Sequence, residues 1–95
     1  MTNDVSKSNA LYERAKAVIP GGIYGHYGYY VRDTGPKFFD RSEGSHFWDV
    51  DGNEYIDYMC AYGPMILGYN HPKVDEAALA QLKAGNTVSL ASPVM

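Results

Sequence analysis

The apolar residues of the first twenty positions recur with the period of an amphipathic helix. Four of them fall at i, i+4, i+7 and i+8 on one helical face: Leu11, Ala15, Val18 and Ile19. Pro20 cannot continue the hydrogen-bond ladder of a helix, and glycines follow it directly. The pattern therefore predicts a helix over residues 8–19 and then a loop over residues 20–36, which is rich in glycine and tyrosine and has no period.

From Lys37 onward the apolar residues come in short runs that are typical of strands. Two breaks separate these runs, one at Ser42-Glu43-Gly44 and one at Asp51-Gly52-Asn53. An Asp-Gly pair between aromatic and β-branched runs is a strong signal for a hairpin. We therefore expect a three-stranded antiparallel meander over residues 37–59.

A second helix is predicted over residues 72–84. Pro72 suits a first helical position, Lys83 suits the last turn, and Gly85 suits the residue after the helix. Three residues would form the apolar face of this helix: Val74, Ala78 and Leu82. At 95 residues the chain is at the small end of single domains, where a core of its own gives only marginal stability.

The composition argues against several classes of partner. A formal net charge of −3 and a pI near 5.4 provide no basic field for nucleic acid or for an anionic membrane surface. No apolar run reaches the roughly 20 residues of a membrane helix, and the polar opening is unlike a signal peptide. We therefore expect a cytoplasmic protein with no nucleic-acid partner and no membrane partner.

Metal and disulfide chemistry are not indicated either. Cys60 is the only cysteine, so a disulfide framework is excluded, and we expect it to be a small buried side chain. The Asp-x-Asp-Gly-Asn run over residues 49–53 invites a calcium loop, but EF-hand spacing would require Phe47 and Tyr58 to bind the ion. The three histidines follow no zinc spacing. The sequence therefore predicts no metal site.

Three motifs together resemble a known enzyme family. They are Pro20-Gly21-Gly22 after the first helix, the run from Gly44 to Tyr58, and the run from Gly63 to Gly68 followed by Asn70-His71-Pro72. In this order and spacing they resemble the N-terminal part of class III pyridoxal-phosphate aminotransferases. The match is closest to the branch of glutamate-1-semialdehyde aminomutases and β-amino-acid aminotransferases.

The resemblance implies an α/β enzyme of fold type I, in which residues 1–95 form part of the small domain of a longer homodimeric protein. It implies pyridoxal 5'-phosphate as cofactor, and a small-molecule amino donor and a keto acceptor as substrates. In this family the cofactor-binding residues and the Schiff-base lysine come later in the chain, so no catalytic and no cofactor-binding residue is expected in this segment. The five lysines present stand in charged, solvated contexts, whereas a Schiff-base lysine needs partial desolvation.

The resemblance also implies substrate contacts. Tyr62 matches the position at which an aromatic residue, tryptophan in the aminomutases, lines the substrate pocket. Four further residues match the substrate loop of the family: Tyr24, Gly25, His26 and Tyr27. From the residues alone, His26 is at least as consistent with a plain surface histidine as with a ligand contact.

One departure from the family pattern concerns the recognition of a carboxylate. Aminomutases carry a serine and then an arginine in this loop, and β-amino-acid aminotransferases carry an arginine at the place of Gly25; here the loop has Gly25 and Gly28. Glycine cannot replace a bidentate arginine. Either the substrate presents no carboxylate to this loop, or His26, Arg32 or a residue elsewhere recognises it.

Three functions remain open at this stage. The first is a transaminase, and the second is an aminomutase or a cofactor-dependent epimerase on the same fold. The third is a small stand-alone binding module rich in aromatic residues, for which an intact mass near 10.5 kDa would argue. Net amino transfer to an added keto acid would separate the first from the second.

Overall fold

The computed structural model describes residues 3–23 and 35–85. Within these ranges the chain forms a helix, three strands, a short 3-10 turn and a second helix, in this order: α1 (Ser6–Lys16), β1 (Phe39–Glu43), β2 (His46–Asp49), β3 (Glu54–Ile56), the turn Cys60–Tyr62, and α2 (Pro72–Ala84). The predicted succession of helix, antiparallel meander and helix is confirmed. Most of the loop predicted over residues 20–36 lies outside the described residues.

Helix α1 is displaced from the range 8–19 that the periodicity predicts. It begins at Ser6 because two carboxylates cap it. Asp4 Oδ1 accepts the backbone N–H of Ser6 (3.0 Å), and Asp51, from a distant turn, accepts those of Lys7 (2.6 Å) and Ser8 (2.9 Å). It ends at Lys16 because the next two residues bond to carbonyls three positions back, which tightens the last turn. The predicted apolar face therefore extends beyond the helix.

The three strands form one antiparallel sheet in the order β1-β2-β3, with β2 in the centre. Phe47 of β2 pairs with Tyr55 of β3, and their rings stack with centroids 5.0 Å apart. On the neighbouring pair, the Arg41 guanidinium of β1 lies 3.5 Å from the ring centroid of Trp48. Aromatic cross-strand contacts thus stabilise both ladders of the meander.

The described residues bury very little apolar surface. Ala15 has the only buried apolar side chain among them; the other buried residues are Gly22, which has no side chain, and the polar Ser8 and Asp49. Large apolar side chains are exposed along the whole described part, for example Tyr58 at 90% and Ile66 at 84% of their surface. Apolar exposure on this scale marks surfaces that other protein atoms normally cover.

Helix α2 occupies the predicted range, but its apolar face is uncovered within the described part of the chain. Val74, Leu79 and Leu82 are each about half exposed or more. Cys60, which the sequence analysis expects to be buried, is only partly buried and is a free thiol. Both features follow from the small core, since few neighbouring atoms are present to cover these side chains.

Candidate substrate-contact site

The segment from residue 57 to residue 70, which we call the left-handed loop, joins the sheet to helix α2. Three consecutive non-glycine residues in it have positive φ angles: Cys60 (50°), Ala61 (50°) and Tyr62 (67°). Each such residue costs about 1–2 kcal/mol relative to the right-handed conformation. Conformations of this kind persist only where the surrounding structure holds them, and they cluster at functional sites.

The Asp57 carboxylate holds the start of the left-handed loop. One oxygen, Oδ1, accepts a hydrogen bond from the backbone N–H of Met59 (2.8 Å). The other, Oδ2, accepts one from the backbone N–H of Cys60 (3.1 Å) and one from the Tyr69 hydroxyl (2.5 Å). The Tyr69 hydroxyl holds the pKa of Asp57 below its ordinary value; partial burial opposes this effect, and the two amides add to it.

The end of the left-handed loop is fastened to the turn between β1 and β2. Gly44 and Tyr69 exchange two backbone hydrogen bonds of 3.0 and 2.8 Å, and the Asn70 side chain donates to the Ser42 carbonyl at 2.6 Å. Gly68 approaches so closely that a Cβ atom there would lie 2.7 Å from the Gly44 carbonyl oxygen. The absence of a side chain at Gly68 is thus a condition of this contact.

Internal backbone hydrogen bonds complete the loop. The N–H groups of Gly63 and Met65 both donate to the Cys60 carbonyl, at 2.8 and 3.2 Å, and the Tyr62 N–H donates to the Met59 carbonyl at 3.0 Å. In this arrangement the Tyr62 side chain keeps 62% of its surface exposed. The loop therefore fixes the backbone of Tyr62 while leaving its aromatic side chain accessible.

A small cavity of about 130 Å³ lies between the left-handed loop and the β1-β2 turn, lined among others by Asp57, Met65 and Tyr69. Small-molecule sites usually enclose about 300–1,000 Å³. This cavity is smaller than that range, and Tyr62 does not line it.

The structure locates one of the five predicted substrate contacts, Tyr62, at the exposed part of this loop. The other four, Tyr24, Gly25, His26 and Tyr27, lie outside the described residues, so their position relative to Tyr62 stays a prediction. The sequence analysis did not identify Asp57 and Tyr69 as parts of the loop. A weak signal was present for Asp57, because aspartate often accepts hydrogen bonds from the backbone two or three residues later.

The Asp-x-Asp-Gly-Asn run has a structural role. Asp49 is 1% exposed, and its Oδ1 accepts the backbone N–H groups of Asp51 (3.0 Å) and Asn53 (2.8 Å). Its Oδ2 accepts the Asn53 side-chain amide (2.9 Å) and the Tyr55 hydroxyl (3.0 Å). Burial alone would raise the pKa of Asp49, but these hydrogen bonds outweigh it and hold the pKa below its ordinary value.

Both oxygens of Asp49 are therefore occupied by protein donors. Over residues 3–23 and 35–85, no cluster of histidine, cysteine or acidic side chains could hold a metal ion. Asp49 holds the backbone of the β2-β3 turn, and this turn places the Asp51 carboxylate at the start of α1. The acidic run thus joins the sheet to the first helix.

The described lysines do not suit a Schiff base with pyridoxal phosphate. Lys16 pairs with Glu13 at 2.7 Å, and this hydrogen bond raises the pKa of the lysine, whereas an amine nucleophile needs a lowered one. The Lys37 ammonium donates to the Asn9 side chain at 2.8 Å. Lys73 and Lys83 lie on the exposed surface of α2. We assign no covalent step to any of these groups.

Comparison with known proteins resolves the family. The model of the family "Aminotransferase class-III" matches residues 29–94. This chain belongs to the class-III aminotransferase family. Its members are enzymes that use pyridoxal phosphate, as the sequence resemblance implies, and the fold-type I architecture is confirmed by solved structures of the family.

Individual relatives of this class-III segment include both aminotransferases and aminomutases. Aminopentol aminotransferase of Sphingopyxis macrogoltabida is 45% identical over 95% of this chain and 22% of its own length. Glutamate-1-semialdehyde 2,1-aminomutase 1 of Lachnoclostridium phytofermentans is 44% identical over 85% of this chain and 19% of its own length. The chain thus spans about a fifth of the length of these relatives.

A solved structure matches this class-III segment over nearly all of its length. The pyridoxal-phosphate internal aldimine form of the Sphingopyxis sp. MTA144 FumI protein is 45% identical, with a TM-score of 0.82 over 95% of this chain and 22% of that protein. In the described part of the present chain, neither helix has the length and apolar character needed to cross a membrane.

Proposed function

We propose that the protein to which this segment belongs is a pyridoxal-phosphate-dependent transaminase that moves an amino group from an amino donor to a keto acid. The observation that carries the proposal is the left-handed loop, which leaves the aromatic side chain of Tyr62 accessible; the sequence resemblance matches this residue to an aromatic position that lines the substrate pocket in the family. The 45% identity to an aminotransferase over 95% of the chain supports the same reaction class.

Within this proposal, the segment recognises substrate and leaves the chemistry to other parts of the protein. Pyridoxal phosphate supplies an electron sink when it is bound. The ring of Tyr62 covers an apolar part of the substrate and excludes water there, and its hydroxyl offers a hydrogen bond at the rim of the ring. A contact of this kind changes the relative rates of different substrates without holding the cofactor.

The loop sequence supports a proposal about the substrate class. Gly25 and Gly28 replace the serine and arginine with which aminomutases of this family meet a substrate carboxylate, and a glycine provides no donor fork. We propose that the amino donor presents no carboxylate to this loop. His26, Arg32 or a residue elsewhere would take over the recognition of a carboxylate if one is present.

The second candidate is an aminomutase of the glutamate-1-semialdehyde type, which the 44% identity to such an enzyme favours. The two candidates differ in their need for an acceptor. Purified whole protein is incubated with a panel of amines and amino acids, with and without an added keto acid, and new amino acid is quantified. Transfer that depends on the added keto acid supports the transaminase. Isomerisation of an amino aldehyde without any acceptor contradicts it.

The origin of the Schiff base can be tested on the same preparation. Borohydride reduction followed by peptide mapping should label a lysine outside residues 1–95, because none of the lysines described above has a suitable environment. Label on Lys37 or Lys73 would show that this segment carries the cofactor lysine. It would contradict the proposal that the segment contacts substrate only.

The role of Tyr62 requires a matched control. Tyr62→Ala should change the ratio of kcat/KM between a large and a small donor by about tenfold or more, while the cofactor absorbance stays unchanged. Tyr58→Ala is the control, because Tyr58 is an even more exposed tyrosine on the same loop. A lowered melting temperature with an unchanged substrate ranking would mean that Tyr62 stabilises the fold by packing and does not contact substrate.

We further propose that residues 1–95 belong to the small domain, that the protein is a cytoplasmic homodimer, and that part of the exposed apolar surface is buried by the second subunit. The support is the apolar exposure at Val18 and Ile66, together with the lone free thiol of Cys60. Sedimentation of the purified protein at twice its chain mass is the expected result. A monomer at micromolar concentration would contradict the dimer.

A further inference from the structure

We infer that Asp57 and Tyr69 are positioning residues, whose side-chain hydrogen bond fixes the left-handed loop and so sets the place of Tyr62 in the substrate pocket. The inference deepens the proposed function and rests on it, because it assumes that Tyr62 touches substrate. Nothing in the family match assigns this role to either residue.

The left-handed loop has a conformational cost. Three successive left-handed non-glycine residues disfavour this backbone by several times the thermal energy. The N–H of Cys60, the first of the three, donates to Asp57 Oδ2, so the carboxylate acts on the residue at which the unusual conformation begins. Without that acceptor, the backbone from residue 59 onward would relax toward ordinary angles.

Asp57 Oδ2 also accepts the hydroxyl of Tyr69, which lies at the other end of the loop. The backbone of Asp57 is itself held, because its N–H donates to the Ser45 carbonyl at 2.8 Å. The Asp57 carboxylate therefore connects the start of the left-handed loop with its positive-φ residues and with Tyr69 at its end. Tyr69 in turn is paired with Gly44 next to the sheet.

The hydroxyl of Tyr69 acts separately from the backbone of that residue. The backbone of Tyr69 is paired with Gly44 through two hydrogen bonds, so it stays in place when the side chain changes. Tyr69→Phe keeps the ring and removes the hydroxyl that donates to Asp57. Residues 60–62 then lose their connection to Tyr69, while the pairing of Tyr69 with Gly44 still attaches the loop to the sheet.

The chain offers a chemically matched control. Tyr55 of β3 also donates its hydroxyl to a buried aspartate, Asp49 at the end of β2, at 3.0 Å, and the same hydroxyl accepts a hydrogen bond from the Asn3 side chain at 3.2 Å. Tyr55→Phe therefore removes the same kind of tyrosine-to-aspartate hydrogen bond, together with the bond from Asn3, within the β2-β3 hairpin and outside residues 57–70. A general loss of stability affects both variants, whereas a positioning effect is confined to Tyr69→Phe.

The experiment uses the whole protein and four forms: Tyr69→Phe, Tyr55→Phe, Tyr62→Ala, and the double variant Tyr62→Ala with Tyr69→Phe. Tyr69→Phe should change the ratio of kcat/KM between a large and a small amino donor by about three- to tenfold. Tyr55→Phe should leave this ratio unchanged. In the Tyr62→Ala background, Tyr69→Phe should produce no further change, since a positioning residue acts through the residue it positions.

Hydrogen exchange gives a second readout that is independent of catalysis. The amides of residues 59–65 should exchange faster in Tyr69→Phe than in Tyr55→Phe, because only the former loosens the loop. Equal exchange in both variants would overturn the inference whatever the kinetics show.

The remaining outcomes separate this inference from the proposed function. If Tyr62→Ala changes the substrate ratio and Tyr69→Phe does not exceed Tyr55→Phe, the positioning role is wrong and the pocket role of Tyr62 stands. If Tyr62→Ala leaves the ratio unchanged, the pocket role fails and the inference fails with it. A full additional effect of Tyr69→Phe in the Tyr62→Ala background would also overturn the inference.

Discussion

Replacement of Gly68 by alanine is the most direct test of the loop geometry. Gly68 has a φ angle of +80°, and a Cβ atom there would lie 2.7, 2.9 and 3.0 Å from the carbonyl oxygen, carbonyl carbon and Cα of Gly44. All three are backbone atoms, so no side chain can rotate away to relieve the overlap. The Gly44–Tyr69 bridge has to separate, or the loop has to move as a whole.

Two contributions determine the expected cost. An alanine with this positive φ angle loses about 1–2 kcal/mol relative to glycine. Disruption of the two backbone hydrogen bonds between Gly44 and Tyr69 adds about 0.5–1.5 kcal/mol for each bond. Gly68→Ala should therefore lower the unfolding free energy by about 2–5 kcal/mol.

Gly44→Ala is the matched control, because Gly44 belongs to the same bridge. Its φ angle is +55°, but a Cβ atom there meets no atom within 4 Å. It should thus show only the conformational cost of about 1–2 kcal/mol. Urea titration of the whole protein gives the two free energies, and hydrogen exchange over residues 57–70 shows whether the loop has opened. Equal costs for the two variants would refute the close backbone contact.

Three further substitutions test the sheet and its attachment to α1. Asp51→Ala should cost about 0.5–2 kcal/mol through the lost cap, whereas Asp75→Ala on exposed α2 should cost less; equal effects would contradict the capping role. Asp49 has a lowered pKa, so its stabilising effect is complete above the unfolded pKa of about 4 and is lost as the pH falls through the folded pKa. The difference in unfolding free energy between Asp49→Asn and the parent protein should therefore shrink toward pH 3, and a constant difference would count against this. Trp48→Ala should cost about 2 kcal/mol, less than a fully buried tryptophan, because Trp48 is half-buried beneath Arg41, and the substrate ranking should not change.

Local sequence signals account for the parts of the fold that were predicted. The β2-β3 hairpin depends on Asp51-Gly52, where glycine has a φ angle of +91°, and the start of α2 depends on Pro72 at its first position. In both cases the residue that decides the conformation lies within the element itself. Patterns of this kind can be recognised without knowledge of the rest of the chain.

Long-range hydrogen bonds account for what the sequence did not reveal. The start of α1 depends on Asp51, which is 43 residues from Ser8 along the chain. The left-handed turn depends on a carboxylate shared with Tyr69, and its three non-glycine residues carry no composition signal for positive φ angles. Periodicity cannot detect such contacts, because each residue involved has an ordinary alternative role in its own segment.

The exposed apolar surface leads to a last prediction about the segment expressed alone. Only one apolar residue of the described part, Ala15, is buried, while residues as large as Tyr58 and Ile66 are almost fully exposed. Ordering the backbone costs about 1–2 kcal/mol per residue, and hydrogen bonds such as those of Asp49 contribute about 1 kcal/mol each. Residues 3–23 and 35–85 therefore bury too little apolar area to offset their conformational entropy. We expect a broad, non-cooperative thermal transition by circular dichroism, or self-association by sedimentation, and a sharp melt of a monomer would show that the described contacts are sufficient for folding.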